Sequence, residues 1–271
     1  MSDHTIGAGI DHRMAAYTNI REDMPPTPDG RPGHPAGSLA IVVTIAKSKQ
    51  GHLVSFPRPS AAAMALNIAA RAAQSAMELQ GDIELIRDQD FFDFPTLTVS
   101  TSTVPKLYDY FEQCILAATS SFQALEAYCN LTIDREVENT IPWPNRDGIT
   151  LDLTSLDLER QLSTEDKLGS LLPELLKMAS PKGKKVWQDF KLLKQKRDAS
   201  AHVKSNDQAP RPKVPNEVQV ETLFSGFIGE TVTDWPKAAV RMINYFDRRS
   251  VRWPWVQHEL DRWGIPRGQE S

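Results

Sequence analysis

The segment KKVWQDFKLLKQKRDASAH, residues 184–202, decides the fold class because its apolar positions recur at helical spacing. They step by four, three, four and four residues, as one face of a helix does: Val186, Phe190, Leu193, Arg197 and Ala201. Arg197 thus falls in phase with the face expected to be buried, where an unpaired guanidinium is costly. Residues 205–207 (Ser-Asn-Asp) and Pro210 end the pattern just after His202. We therefore predict a helix over 184–202 in which Arg197 meets an anionic group.

Arg197 and His202 form the candidate catalytic pair. Five positions separate them by roughly 140° around the helix axis, so they do not share a face. Asp198 and His202 are four residues apart, share a face and can form a hydrogen bond. This geometry is useful if the helix end lines a groove shared with a second helix or a second subunit. The simpler alternative is a surface Arg and His on a lysine-rich helix.

Charge is distributed unevenly along the chain. The 271 residues carry a formal net charge of -4, and the pI is about 5.9. Residues 182–204 hold seven Lys and one Arg against two Asp, a charge of +6, which leaves -10 for the remainder. A basic stripe on an acidic protein favours a polyanion such as RNA as partner. A solvated helix face without a ligand is the alternative.

Composition and motifs exclude several classes of protein. The chain is 40% hydrophobic and 24% charged, typical of a globular protein, and lacks the apolar run of a membrane span. Its start, MSDHTIGAGIDHRMAAY, lacks the features of a signal peptide. Cys114 and Cys129 fall on one predicted helix and are interpreted as core residues in a reducing cytoplasm, so we expect a cytoplasmic protein. Metal-ligand spacing and phosphate-binding motifs are absent, because five of the six histidines are scattered, and we expect no metal or cofactor.

The chain is predicted to begin with a flexible, Pro-rich tail (1–37) followed by a small α+β segment (38–101). Within that segment, residues 39–46 (LAIVVTIA) are predicted to form a buried strand with 53–56 as its partner. Ser60 is predicted to cap an alanine-rich helix that runs to Leu79, and two short strands are predicted at 83–86 and 96–99.

The remainder is predicted to be helical, with a domain over 102–250 and a Trp-rich C-terminal helix over 251–271. A long helix begins near Thr103 and carries no charge from Gln113 to Leu125, so it is buried in a bundle or forms a dimer seam. A second helix begins at Ser163, and Pro173 is predicted to kink it. Further helices are predicted at 218–228, 234–248 and 254–263. The tryptophans of the last segment are interpreted as packing residues: Trp235, Trp253, Trp255 and Trp263.

A long apolar helix, a shorter acid-capped helix and a basic helix ending in Arg197-Asp198-Ala199-Ser200-Ala201-His202 resemble the HEPN superfamily of small helical-bundle proteins. The resemblance covers roughly residues 103–249 and rests on one short motif and on helix order. It implies a mainly α, HEPN-like bundle. It also implies a metal-independent endoribonuclease, usually dimeric, of the kind frequent in toxin–antitoxin and anti-phage systems. The toxin branch silenced by nucleotidylation carries a Tyr two residues after the His. Here that residue is Lys204, so we do not expect this protein to be controlled by nucleotidylation.

The implied mechanism assigns roles to the residues of this helix. His202 transfers protons, Arg197 stabilises charge on the phosphorane oxygens and Asp198 orients His202. The residues expected to contact the RNA backbone share the same helix or its end: Lys191, Lys194, Lys196, Ser200 and Lys204. Expected partners are RNA, a second copy of the chain and an antitoxin or defence-complex protein, with no membrane. The competing interpretation is a non-catalytic module that binds RNA, a nucleotide or a protein.

Overall fold

The computed structural model describes residues 11–15, 17–19, 23–26, 28, 33–36, 39–88, 96–144, 148–201, 223–247 and 253–266. Over these ranges the protein is mainly α. The helices are α1 (Ala61–Gly81), α2 (Val104–Glu136), α3 (Ser155–Gln161), α4 (Thr164–Asp166), α5 (Leu172–Leu175), α6 (Lys185–Ala201), α7 (Asp234–Phe246) and α8 (Pro254–Trp263). The strands are β1 (Tyr17–Asn19), β2 (Leu39–Ile41), β3 (Val43–Lys47), β4 (Leu53–Pro57), β5 (Leu85–Asp88), β6 (Thr96–Val99), β7 (Thr140–Pro144) and β8 (Thr150–Thr154). The strands form antiparallel two-stranded sheets, in which β1 pairs with β2, β3 with β4, β5 with β6 and β7 with β8.

The 33-residue helix α2 is the centre of the bundle, and α1, α6 and α7 pack against it. Pro105 lies in its first turn, where a missing backbone N–H costs little. Its buried positions include Phe122 and Leu125, each worth roughly 1.5–3 kcal/mol when removed from water. Cys129 is also fully buried, and burial raises its pKa to about 12. The thiol is therefore an inert core group, as the sequence predicts.

Most of the uncharged stretch of α2, from Gln113 to Leu125, is covered within the monomer, while Leu116 is 41% exposed. Ala117, Ala118 and Ala124 are fully buried beneath neighbouring helices. The alanine-rich face of α1 allows close approach because its side chains are small. Between the two explanations for this stretch, burial in the bundle accounts for it without a second subunit.

Helix α1 begins as its sequence predicts. The Ser60 side chain accepts a hydrogen bond from the Ala63 amide at 3.2 Å, which satisfies one of the free N–H groups of the first turn. The buried residues of α1 then recur every three or four positions along the side that faces the core: Ala62, Leu66, Ala69, Ala73 and Ala76.

The strand pair β3–β4 lies where the sequence predicts strands, but the prediction that residues 39–46 are buried is wrong. Val43 is 58% exposed, Ile45 is 64% exposed and Leu53 is 76% exposed. The predicted single strand is also broken at Val42, so that β2 pairs with β1 and β3 pairs with β4. A run of β-branched residues favours a strand, yet it does not ensure that another layer covers the strand.

The connection between α2 and α6 contains more structure than the sequence predicts. β7, β8 and α3 occupy a stretch interpreted as a polar connection, and Thr154 and Asp157 form a capping box at the start of α3. The helix predicted from Ser163 is present, with a π-helical turn at Lys167–Leu171 just before Pro173. Proline cannot donate the next helical hydrogen bond, which explains the irregularity at this point.

Lys167 in this π-helical turn is only 1% exposed. Its ammonium group donates hydrogen bonds to Asn130 Oδ1 at 2.8 Å and to the Glu159 carbonyl at 2.7 Å. Burial lowers its pKa from the ordinary value of 10.5. The side chain ties α2, α3 and the π-helical turn together.

The C-terminal helices match the prediction closely. α7 and α8 lie at the predicted positions, and Trp235, Trp253 and Trp255 are buried. The tryptophans therefore act as packing residues. By contrast, residues 223–228, the described part of the helix predicted over 218–228, form consecutive turns. Tyr110 donates a hydrogen bond from its hydroxyl to the Phe227 carbonyl at 2.7 Å, which fixes these turns on α2.

Several predictions concern residues outside the described ranges. They include most of the tail over 1–37, the end of the basic segment from His202 onward, and residue 248 of the predicted helix over 234–248. No helix within the described ranges has the length and apolar character needed to cross a membrane.

Candidate functional site

Arg197 lies on the last turn of α6, on the side that faces α2. Its guanidinium carbon lies 3.8 Å from the centre of the Phe122 ring, a close cation–π contact. The side chain is 29% exposed, and Nη1 lies 3.0 Å from Asp198 Oδ1. Its Nε is buried and has no hydrogen-bond acceptor among the described residues. The predicted anionic partner is therefore the adjacent Asp198, while an aromatic face supports most of the guanidinium.

Asp198 is shared between two cations of the same helix. Besides Arg197, it accepts a hydrogen bond from Lys194 Nζ at 3.0 Å. Lys194 also lies 3.7 Å from Glu165, and Lys191 donates to Glu165 at 2.8 Å. Glu165 belongs to α4, so these lysines link α6 to the neighbouring helical segment.

Lys196 and Ser200 are held by the protein as well. Lys196 Nζ donates to the Gly226 carbonyl at 2.7 Å and to Glu230 at 2.8 Å, which joins α6 to the turns at 223–230. The Ser200 hydroxyl donates to the Lys196 carbonyl at 2.9 Å, within α6 itself. His202 and Lys204 lie outside the described residues.

The surface around α6 is less positive than the sequence of the helix alone, because acidic residues from other elements lie against it. Residues 182–201 hold six Lys and one Arg against two Asp, a charge of +5. Glu165 and Glu230 face this surface, and Arg241 lies 3.6 Å from Asp189. Adding these three partners gives +4, so the surface still favours an anion, although several of its lysines already have partners.

A second polar cluster, which the sequence does not predict, lies where residues 11–15 meet α8. The His12 and His258 rings stack with centroids 3.7 Å apart and an interplanar angle of 11°. His12 is fully buried, and Glu259 beside it is 1% exposed. Arg262 lies 3.2 Å from the Glu259 carboxylate and donates to Asn67 of α1 at 3.1 Å. We call His12, His258, Glu259 and Arg262 the terminal cluster. It corrects the interpretation of His12 and His258 as scattered residues without ligand geometry.

A cavity of about 390 Å³ lies between the end of α2 and the segments after α5 and α7. Arg135 on its wall stacks over the Trp253 ring at 5.1 Å. Lys177 on its rim has φ of 52°, a conformation that costs energy for a residue with a side chain. Polar groups and an aromatic wall make this cavity suited to a small polar ligand.

Comparison with known proteins gives no relative. No family model, no curated protein and no solved structure matches the chain.

Proposed function

We propose that this protein is a metal-independent endoribonuclease of HEPN type that acts in a toxin–antitoxin or anti-phage defence system. The observation that carries the proposal is the setting of Arg197. Its guanidinium is fixed against Phe122, remains 29% exposed and lies five residues before His202. A partly exposed, oriented guanidinium at the end of a basic helix is suited to an RNA phosphate.

The proposed chemistry uses the 2′-OH of the RNA as nucleophile. His202 removes the 2′-OH proton, the oxygen attacks the adjacent phosphorus, and the bond to the 5′-oxygen of the next nucleotide breaks. The leaving oxygen takes up a proton from water, and His202 returns its proton to the solvent, so the products carry a 2′,3′-cyclic phosphate and a 5′-OH. Arg197 stabilises the negative charge on the phosphorane oxygens with its planar fork of donors.

Asp198 and the lysines take supporting roles in this proposal. Asp198 orients His202. Because its Oδ2 already binds Lys194 and its Oδ1 already binds Arg197, one of these oxygens must release its partner or accept a second hydrogen bond. Lys191, Lys194 and Lys196 exchange their carboxylate partners for RNA phosphates. Lys204 and Ser200 add contacts at the end of the helix.

The proposal includes a homodimer in which two Arg197–His202 helix ends face each other across a shared groove. Support for the dimer comes from the family resemblance and from the separation of Arg197 and His202 by roughly 140° around the helix axis. The uncharged stretch of α2 does not add support, because neighbouring helices of the same chain cover most of it. Light scattering is expected to give about twice the chain mass of 30.3 kDa. An active monomer would remove the shared groove from the proposal.

The test is cleavage of RNA by the purified protein in EDTA, with Arg197→Ala and His202→Ala beside the wild type. We expect each substitution to slow cleavage about a hundredfold or more, because general acid–base and electrostatic contributions reach this size. The wild-type products are expected to end in 2′,3′-cyclic phosphate. An all-DNA strand of the same sequence is expected to stay intact because it lacks the nucleophile.

Two exposed residues of the N-terminal part supply matched controls, namely Arg87→Ala on β5 and His52→Ala near the turn between β3 and β4. Both controls are expected to cleave like the wild type. If Arg197→Ala and His202→Ala also cleave like the wild type, the proposed site is wrong.

A second candidate function is a non-catalytic module that binds RNA, a nucleotide or a protein. Two observations favour it: the lysines of α6 are already paired within the protein, and the cavity beside Arg135 and Trp253 is suited to a small polar ligand. This candidate predicts that RNA or a nucleotide binds and is recovered intact. Binding unaffected by Arg197→Ala but lost in Arg135→Ala would favour it over the ribonuclease.

A further inference from the structure

The terminal cluster brings together three side chains that are typical ligands of zinc. His12 Nε2 lies 3.9 Å from Glu259 Oε1, and His258 Nδ1 lies 3.3 Å from the same oxygen. One ligand atom from each of the three residues lies within 4.8 Å of the other two. Two ligands of a tetrahedral zinc ion are about 3.3 Å apart, given metal–ligand bonds of about 2.1 Å. The observed separations thus exceed the required one by about 1.5 Å at most.

We infer that His12, His258 and Glu259 bind a divalent transition-metal ion, zinc by the chemistry of the donor set. Two imidazoles and one carboxylate are the donors of three-ligand zinc sites in which water occupies the fourth position. Magnesium prefers oxygen ligands and is not expected to bind here. The ion would fasten residues 11–15 to α8. This site shares no residue with the proposed ribonuclease site and does not depend on it.

The groups around the three ligands are placed as supporting partners of a metal site. Asp11 Oδ1 lies 3.8 Å from His12 Nδ1, on the side of the ring opposite to Nε2. At this distance the carboxylate is an electrostatic neighbour of the ring rather than a hydrogen-bond partner. It leaves Nε2 on the side that faces Glu259. Asp11 is itself fixed by Arg13, whose backbone N–H and Nε donate to it at 2.8 and 2.9 Å.

Arg262 supports the carboxylate ligand. It lies 3.2 Å from Oε1 and 3.3 Å from Oε2 of Glu259. A metal on Oε1 leaves Oε2 paired with Arg262, which is the outer-shell hydrogen bond that ligating carboxylates usually have. Asn67 of α1 accepts from the other end of the same guanidinium at 3.1 Å, so α1 also contributes to the position of Glu259.

Backbone hydrogen bonds attach the residues that follow His12 to the segment just before α1. The Ala15 amide donates to the Arg58 carbonyl and the Ser60 amide donates to the Arg13 carbonyl, each at 2.7 Å. His12 is therefore attached to the start of α1, while His258 and Glu259 belong to α8. The metal would connect two parts of the chain that are about 250 residues apart in sequence.

Metal binding requires one ring to turn, because a ligated ion lies in the plane of the imidazole and the two rings are stacked nearly parallel. His12 is fully buried, whereas the His258 side chain is 24% exposed. His258 is thus the ring that turns. The stack opens when the ion enters, and the ion replaces the contact between the two rings.

The test uses the full chain, freed of metal with EDTA and then titrated with zinc chloride by calorimetry. We expect one zinc per chain, and a rise in the thermal midpoint of about 5 °C when zinc is at a hundred times its Kd. Cobalt(II) is expected to give the intense visible absorption of a tetrahedral site. Magnesium chloride is expected to change neither signal.

Variants separate this site from chance binding elsewhere. His258→Gln and Glu259→Gln are expected to lose the cobalt spectrum and the zinc-dependent shift, and His52→Ala, an exposed histidine outside the cluster, is expected to keep both. The cobalt spectrum reports coordination directly, so it remains informative if a variant is less stable. If wild type binds no zinc, or if His258→Gln keeps the spectrum, the cluster is a metal-free ion pair with stacked rings. RNA cleavage in EDTA tests the ribonuclease separately, so either proposal can fail alone.

Discussion

Two groups of charged side chains, the α6 cluster (Arg197, Asp198, Lys191, Lys194 and Lys196) and the terminal cluster around Glu259, are similar in chemistry but differ in burial. Arg197 and Asp198 are 29% and 37% exposed, whereas Glu259 is 1% exposed. Exposed ion pairs contribute little to stability because water screens them, while a buried charge that loses its partner is strongly destabilising. We therefore expect the exposed groups of α6 to be available to a ligand, and the buried groups of the terminal cluster to contribute more to the stability of the fold.

The largest expected difference in stability comes from deleting one carboxylate in each cluster. Glu259→Ala removes the carboxylate partner of Arg262 and leaves a buried space unfilled, and it is expected to cost about 3 kcal/mol. Asp198→Ala is expected to cost less than about 1 kcal/mol. Urea unfolding of both variants at neutral pH measures the two values. Equal costs would show that burial does not distinguish the clusters.

The next effect concerns RNA binding by α6. Changing Lys191, Lys194 and Lys196 to Gln is expected to weaken binding to unrelated single strands about tenfold and to flatten the salt dependence. The reduction is modest because Glu165, Asp198 and Glu230 already neutralise these lysines in part. Filter binding at several salt concentrations gives both values.

The matched control for this measurement changes Lys47, Lys49 and Lys106 to Gln, since these lysines lie outside α6 and its contacts. This control protein is expected to bind RNA like the wild type. If the two triple variants bind equally well, the basic surface of α6 is only a solvated helix face.

The smallest effect is the response to acid of Asp11, which lies beside the terminal cluster. The hydrogen bond from Arg13 lowers the pKa of Asp11 from its ordinary value of 3.8 to about 2. The folded state therefore favours the ionised form, and the stability gained is present above pH 3.8 and lost as the pH falls towards 2. Asp11→Asn is expected to cost about 1 kcal/mol at neutral pH, an amount reduced by partial exposure.

Urea unfolding of wild type and Asp11→Asn from pH 6 to pH 2 measures this contribution. The difference between the two proteins is expected to shrink across the acid end of the range. A difference that stays constant with pH would mean that Asp11 stabilises the fold by packing rather than by charge.

The sequence predicts features that depend on near neighbours and misses those that depend on distant ones. The Ser60 cap, the start of α2 near Thr103 and the position of α8 follow from local patterns, and the structure contains all three. The contact of Arg197 with Asp198 is also local. The cation–π contact with Phe122 was not predictable, because 75 residues separate the two positions and only packing brings them together.

The terminal cluster is a clearer example of contacts between distant residues that the sequence does not predict. His12 and His258 lie near opposite ends of the chain, and no spacing rule connects them. The predicted buried strand over 39–46 was wrong for a related reason. Its β-branched residues specify an extended backbone, but the layer that would cover it depends on the rest of the fold, and Ile45 is 64% exposed.

The most direct measurement combines RNA cleavage and thermal unfolding for Arg197→Ala and Glu259→Gln, with Arg87→Ala as control. We expect Arg197→Ala to lose about a hundredfold or more in cleavage rate in EDTA while its midpoint stays within about 2 °C of the wild type. Glu259→Gln is expected to unfold at a lower temperature yet to cleave at the wild-type rate while folded. If Arg197→Ala cleaves like the wild type, or loses activity only in proportion to unfolding, the α6 cluster is not a catalytic site.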